Sequence, residues 1–279
     1  MLGRVSSPHL GYTVSPRRGL KFLTTGDTRQ GIEADGQHKT RIIKRIRRMT
    51  VCYPAFLLLK YGTIREIRMS KKSDKEKIAK EICKAAKLYK QHLVGRRFVY
   101  VFDGRYIEVL YKNVNFKHLT GVECNMSAKD FYKNALKNKL QGPQIYFTKD
   151  HPYSLCKRKV KHLCDISTLA SSENFMLEEI VTDTRTYKFG TTDLEFTLCM
   201  NKEYDDQGNE KGECYIVESL RDEDCFNKSK NAYVVTHILA KSNAAPIYTD
   251  VLFIDKSSRL KNLPDEIIKM VDEKLLREE

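Results

Sequence analysis

The sequence predicts an α+β fold, with N-terminal helices and a hairpin followed by an antiparallel meander sheet. Three observations carry this expectation. Apolar residues recur at helical spacing after Ser73, and an Asp-Gly pair separates two strand-like runs. Six further strand-like runs then follow one another between residues 176 and 255.

Each element has its own signal. Ser73 and Glu76 form a capping-box pattern, followed by Ile78, Ile82, Ala85, Ala86, Tyr89 and Leu93, with Gly95 as the stop. "RRFVYVFDGRYIEVLYK" reads as a hairpin turning at Asp103-Gly104. Ser127 and Asp130 open a second helix with Ala128, Phe131, Ala135 and Leu136 on its apolar stripe, and Gly142-Pro143 ends it. A third helix is expected over "SLCKRKVKHLCDISTLA", burying Cys156, Val160, Leu163 and Ile166, with Lys157 and Lys161 one turn apart on another face. The strand candidates are "MLEEIVT", "TYKF", "DLEFTLCM", "ECYIVES", "AYVVTHILAK" and "IYTDVLFID", and "NKEYDDQGNEKG" reads as a hairpin loop. A final helix is expected from Pro264, with Ile267, Val271 and Leu275 in register.

The formal net charge of +14 is unevenly spread. Residues 1–68 hold ten Arg and four Lys against four acids, whereas residues 69–279 hold 28 Lys and 8 Arg against 32 acids. The first segment is rich in Gly, Ser, Thr, Pro and Arg and lacks a sustained apolar period. We read residues 1–68 as a basic, disordered or non-native extension, with Met69 as the natural start of the domain at 69–279. A nucleic-acid-binding arm and an organelle transit peptide are the rival readings.

No apolar run approaches a membrane span; the longest lies between Val51 and Leu59. The eight cysteines are scattered through helix-like and strand-like segments, which points to a reducing compartment, the cytoplasm, rather than a disulfide framework. Cys156, His162 and Cys164, or His118 and Cys124, lack the paired spacing of a structural metal site, so neither metal nor organic cofactor is expected. Walker, dinucleotide and Gly-x-Ser-x-Gly signatures do not occur.

Two histidines carry candidate chemistry. His118 lies with Thr120 in "NFKHLTGV", where a hairpin hands the chain to a helix, and Gly121 allows close backbone approach. His237 lies in "AYVVTHILAK", where alternation places Tyr233, Val235, His237, Leu239 and Lys241 on one face. A histidine among apolar neighbours is more often a satisfied core residue, and lysine runs more often solvate a helix. The chemistry these residues suit is RNA cleavage without metal. The ribose 2′-OH attacks the adjacent phosphate, histidine moves the protons, and cationic or hydroxyl donors hold the phosphoryl oxygens. Thr120, Lys157, Lys161, Arg185 and Lys241 are the candidate donors.

The passage "FVYVFDGRYIEVLYKNVNFKHLTGVECNMSAKDFYKNALKNKL" resembles the opening of the phage Barnase–EndoU–Colicin–RelE-like nuclease families, most of all their fourth group. "NFKHLTG" followed by "SAKDFY" carries most of the match, over residues of about 75–260. The resemblance implies a small α+β RNase fold, carriage by phages or mobile elements, and RNA as partner, with an immunity or host protein as a further one. It favours His118 over His237. The expected function is a metal-independent endoribonuclease; the alternative is a non-catalytic RNA- or protein-binding module of the same fold, acting in phage–host conflict.

Overall fold

The computed structural model describes residues 71–277, which belong to one compact unit. The expectations for residues 1–68 and for a start at Met69 lie outside the described residues. Helix α1 spans Lys71–His92 and buries Ile78, Ala79, Ile82, Ala85, Ala86 and Tyr89 along one stripe. The chain is already helical at Lys71, so Ser73 lies within the helix rather than at its N-cap. Lysine is a good helix former, and nothing in Lys71-Lys72 stops the helix short of Ser73.

Strands β1 (Arg96–Phe102) and β2 (Arg105–Leu110) pair as the expected hairpin. Asp103 and Gly104 both adopt positive φ, 50° and 68°, as a type I′ turn requires. Helix α2 (Phe116–Thr120) is short and ends on Gly121 at φ 71°, a left-handed cap that glycine adopts without strain. Helix α3 (Ala128–Leu136) starts at Ser127, whose hydroxyl accepts the Asp130 N–H at 3.1 Å. The third helical segment is divided into α4 (Tyr153–Leu163) and α5 (Ile166–Leu169).

The strands that follow are β3 (Phe175–Val181), β4 (Thr186–Thr192), β5 (Thr197–Tyr204), β6 (Glu210–Arg221), β7 (Ser229–Ser242) and β8 (Asp250–Ile254). β3 through β6 form the expected meander. The polar stretch at 201–212 is mostly strand, with a tight turn around Gly208 at φ 84°. The hydrogen-bonded order β1-β2-β6-β5-β4-β3-β7, with β7 pairing back to β1, closes the strands into a ring, and β8 joins β7. One pairing is parallel, β2 with β6, so the sheet is mixed.

Two apolar cores result among the described residues. The larger lies between the helices and the inner sheet face, where Tyr89, Phe116, Phe131, Phe98, Met176, Val217 and Ile238 are buried together. The smaller lies on the opposite face of β1 and β7, where Val99, Val101 and Leu239 meet Tyr248, Leu260 and Ile267. The expected single C-terminal helix is two short pieces, α6 (Asp265–Ile268) and α7 (Glu273–Arg277). Tyr248 takes the intervening backbone: its N–H donates to Met270 O at 2.6 Å, and Asp272 N–H donates to Tyr248 O at 3.0 Å. These bonds outcompete helix propagation through Val271.

A register shift also changes the face expected for β7. Val101 pairs with His237 and Phe102 with Val235, leaving Thr236 as an extra residue. That bulge puts Val235 in the larger core, while Leu239 lies in the smaller.

Candidate nucleic-acid interface

Helix α2, helix α4 with the turn before it, the β3–β4 turn and the end of β6 surround an open cleft of about 820 Å³. Its lining includes His118, His151, Arg158, Lys159, Arg185 and Arg221. Asn115 donates to Val217 O at 3.0 Å and ties the start of α2 to β6. At the other end, Cys156 Sγ donates to Gly121 O at 3.0 Å and ties α4 to the same corner. A Cβ on Gly121 would stand 3.0 Å from Lys159 Cδ, so the glycine lets α2 pack on the lysine stem.

The HLTG corner separates its two polar side chains. Thr120 is fully buried, donates to Lys117 O at 2.6 Å and accepts the Val122 N–H at 3.1 Å. Its hydroxyl closes the helix. His118 is exposed and lines the cleft.

Pairing distinguishes the cleft's cations. Arg185 meets Glu218 at 2.8 Å, and Arg158 Nε meets Asp222. Lys159 and Arg221 have no carboxylate partner among the described residues. Lys159 is only 8 % exposed, and burial followed by the Arg221 charge pushes its amine below the ordinary lysine range. Arg221 donates to Thr182 Oγ1 at 3.1 Å and reaches Thr184 Oγ1 at 3.4 Å and the Tyr187 hydroxyl at 3.5 Å. Its Nε is buried without a hydrogen-bond partner among the described residues. Two neighbouring, partly desolvated cations without carboxylate partners among the described residues have the chemistry to receive an anion.

His151 Nδ1 lies 3.2 Å from Glu123 Oε1 and also lines the cleft. The carboxylate orients the ring and leaves Nε2 for proton transfer. Among the described residues no cluster of three or more His, Cys, Asp or Glu is placed to hold a metal ion.

Of the residues singled out from sequence, the cleft brings together His118 and Arg185. Lys157 and Lys161 line a separate groove between α1 and α4. His237 is 1 % exposed, with Nδ1 3.0 Å from Thr236 Oγ1 and Nε2 2.9 Å from Arg259 O. Lys241 is buried, donates to Pro246 O at 3.0 Å and lies over the Tyr248 ring at 4.4 Å. Sequence reasoning passed over His151, Arg158, Lys159 and Arg221. Arg158 and Lys159 sit in the same basic run as Lys157 and Lys161, but Arg221 carried no signal beyond its position at a strand end.

Among the described residues no helix is long and apolar enough to cross a membrane. No curated protein and no solved structure matches the chain. Residues 81–257 match the family described as phage-Barnase-EndoU-ColicinE5/D-RelE like nuclease 4. That span takes in the hairpin, the HLTG corner, α4, the meander and β7, and therefore every wall of the cleft; the chain belongs to this family of nucleases.

Proposed function

We propose that the protein is a metal-independent endoribonuclease of phage or mobile-element type, cleaving RNA by attack of the ribose 2′-OH on the adjacent phosphate. The observation that carries this reading is the unpaired Arg221–Lys159 pair in a cleft lined by two histidines. Arg221 and Lys159 hold the phosphoryl oxygens, whose negative charge grows in the pentacoordinate transition state. His118 takes the 2′ proton and His151, oriented by Glu123, returns one to the leaving 5′ oxygen. The cations of the chain itself supply the positive charge that a metal otherwise provides. The seven described cysteines are all free thiols, which suits action in the reducing cytoplasm.

The test is incubation of the purified chain with end-labelled RNA in EDTA. Products ending in 2′,3′-cyclic phosphate support the proposal; a requirement for added divalent metal overturns it. One observation favours the alternative of a non-catalytic RNA-binding module in phage–host conflict. The His118 ring has no hydrogen-bond partner among the described residues to fix its orientation. Intact RNA in a salt-sensitive complex would select that module.

A further inference from the structure

Two arginine–carboxylate pairs in this protein differ in a way that assigns a role to a buried histidine. Arg105 closes a fork on Glu178, with Nη1 3.2 Å from Oε1 and Nη2 2.9 Å from Oε2. Such a fork uses both carboxylate oxygens and saturates the guanidinium edge that faces them. Arg158 meets Asp222 differently. Its Nε donates to Oδ2 alone, and Oδ1 is already taken by His162 Nε2 at 2.9 Å.

His162 is built to hold that oxygen. Its side chain is 5 % exposed, and its ring stacks on Phe196 with centroids 4.8 Å apart and planes at 23°. Its Nδ1 is buried with no hydrogen-bond partner among the described residues, so the ring's polar contact is directed at Asp222. Because a carboxylate oxygen accepts, the hydrogen of this bond sits on Nε2, and one on Nδ1 would be a buried donor without an acceptor. The Arg158 side chain is 54 % exposed and lines the cleft.

We propose that His162 is a positioning residue: by holding Oδ1 against its own ring it fixes the turn of the Asp222 carboxylate so that only Oδ2 faces Arg158, and so keeps the arginine's terminal nitrogens available to a phosphate of the RNA. This deepens the nuclease reading and rests on it for the identity of the anion. Asp222 then aims Arg158 without neutralising its outer edge, whereas the Glu178 fork spends Arg105 on structure.

The experiment is a double-mutant cycle read as affinity of the full chain for a labelled single-stranded RNA, with cleavage recorded separately. His162→Phe retains a ring against Phe196 and removes the hydrogen bond; affinity is expected to fall by about tenfold, within the usual coupling range of contacting residues. His162→Gln, which places a donor near the Nε2 position, restores most of it. In an Arg158→Ala background, His162→Phe has no further effect. Should His162→Phe fail to fold, His162→Leu gives the same cycle. Equal losses with and without Arg158, or no rescue by Gln, overturn the proposal. Coupling without RNA cleavage sustains the positioning role and removes the nuclease reading; cleavage without coupling does the reverse.

Discussion

The Arg221 cleft and the pocket on the β1, β2 and β6 side hold similar charged side chains and put them to different ends. The second pocket, about 500 Å³, is lined by Arg97, Arg105, Lys202 and Lys241 with Phe102, Tyr106, Phe189 and Tyr215. By composition it is the better nucleic-acid site, with more aromatic surface and as many cations. Yet Arg97 meets Glu108 at 3.1 Å, Arg105 is forked on Glu178, Lys202 donates to Glu213 O, and Lys241 donates to Pro246 O. Those charges hold the sheet together. In the other cleft Lys159 and Arg221 are left without carboxylates among the described residues. What marks an anion site is the charge that the fold leaves unanswered.

The largest effect that would break this comparison comes from Arg221. Arg221→Met is expected to lower RNA cleavage by about 100- to 1000-fold, the scale of removing one transition-state donor. Steady-state turnover with a melting curve checks it; a near-wild-type rate would move the phosphate site elsewhere. His118→Ala follows, with a loss of about 100-fold and an intact fold, because the side chain is exposed and its proposed role is proton transfer alone. If the variant unfolds, the histidine is a structural corner.

On the paired side, stability is the quantity to measure. His237→Ala is expected to cost about 1–3 kcal/mol in denaturant unfolding, since it removes the part-buried hydrogen bond between the ring and Arg259 O and leaves a small void where the buried ring was. Activity per folded molecule should stay unchanged, and a selective loss of rate would return His237 to the chemistry. The smallest effect is acid sensitivity at Glu178. The Arg105 fork holds that carboxyl below its usual value of 4.5, ahead of the opposing effect of burial. A depressed folded-state pKa contributes stability that is fully present above the unfolded value and is lost as pH falls through the folded one. Glu178→Gln should therefore flatten the acid limb of the stability curve below about 4.5 and reduce stability at neutral pH. An unchanged acid limb would show that the fork contributes nothing.

Local signals made most elements legible. Asp103-Gly104, Ser127 with Asp130, and the apolar stripe of α1 each specify their own backbone within a few residues. Gly121 was legible as a special position, although the close neighbour it accommodates is the Lys159 stem. The break between α6 and α7 was not, because Tyr248 lies more than twenty residues upstream of Val271. Nor was the Thr236 bulge, which depends on how β1 seats against β7. The site divides along the same line. His118 and the Lys157/Lys161 pairing on one helix face follow from local spacing, but spacing does not say which face of α4 meets the cleft. Arg221 matters because Thr182, Thr184 and Tyr187 surround it, and those residues come from another strand pair.

The ring of strands has a consequence for how the protein is made. β1 begins at Arg96, and the strand that closes the ring against it ends at Ser242. Its β2–β6 pairing likewise joins Val109 to Tyr215. Contacts this distant in sequence raise contact order and slow folding, because loop closure precedes the reward of pairing. On a translating ribosome the α1 helix and the first hairpin emerge long before their partners, while the cleft lacks Arg221 until β6 is complete. On the reading proposed above, the chain is thereby kept from cutting RNA during the interval in which its own message is nearest.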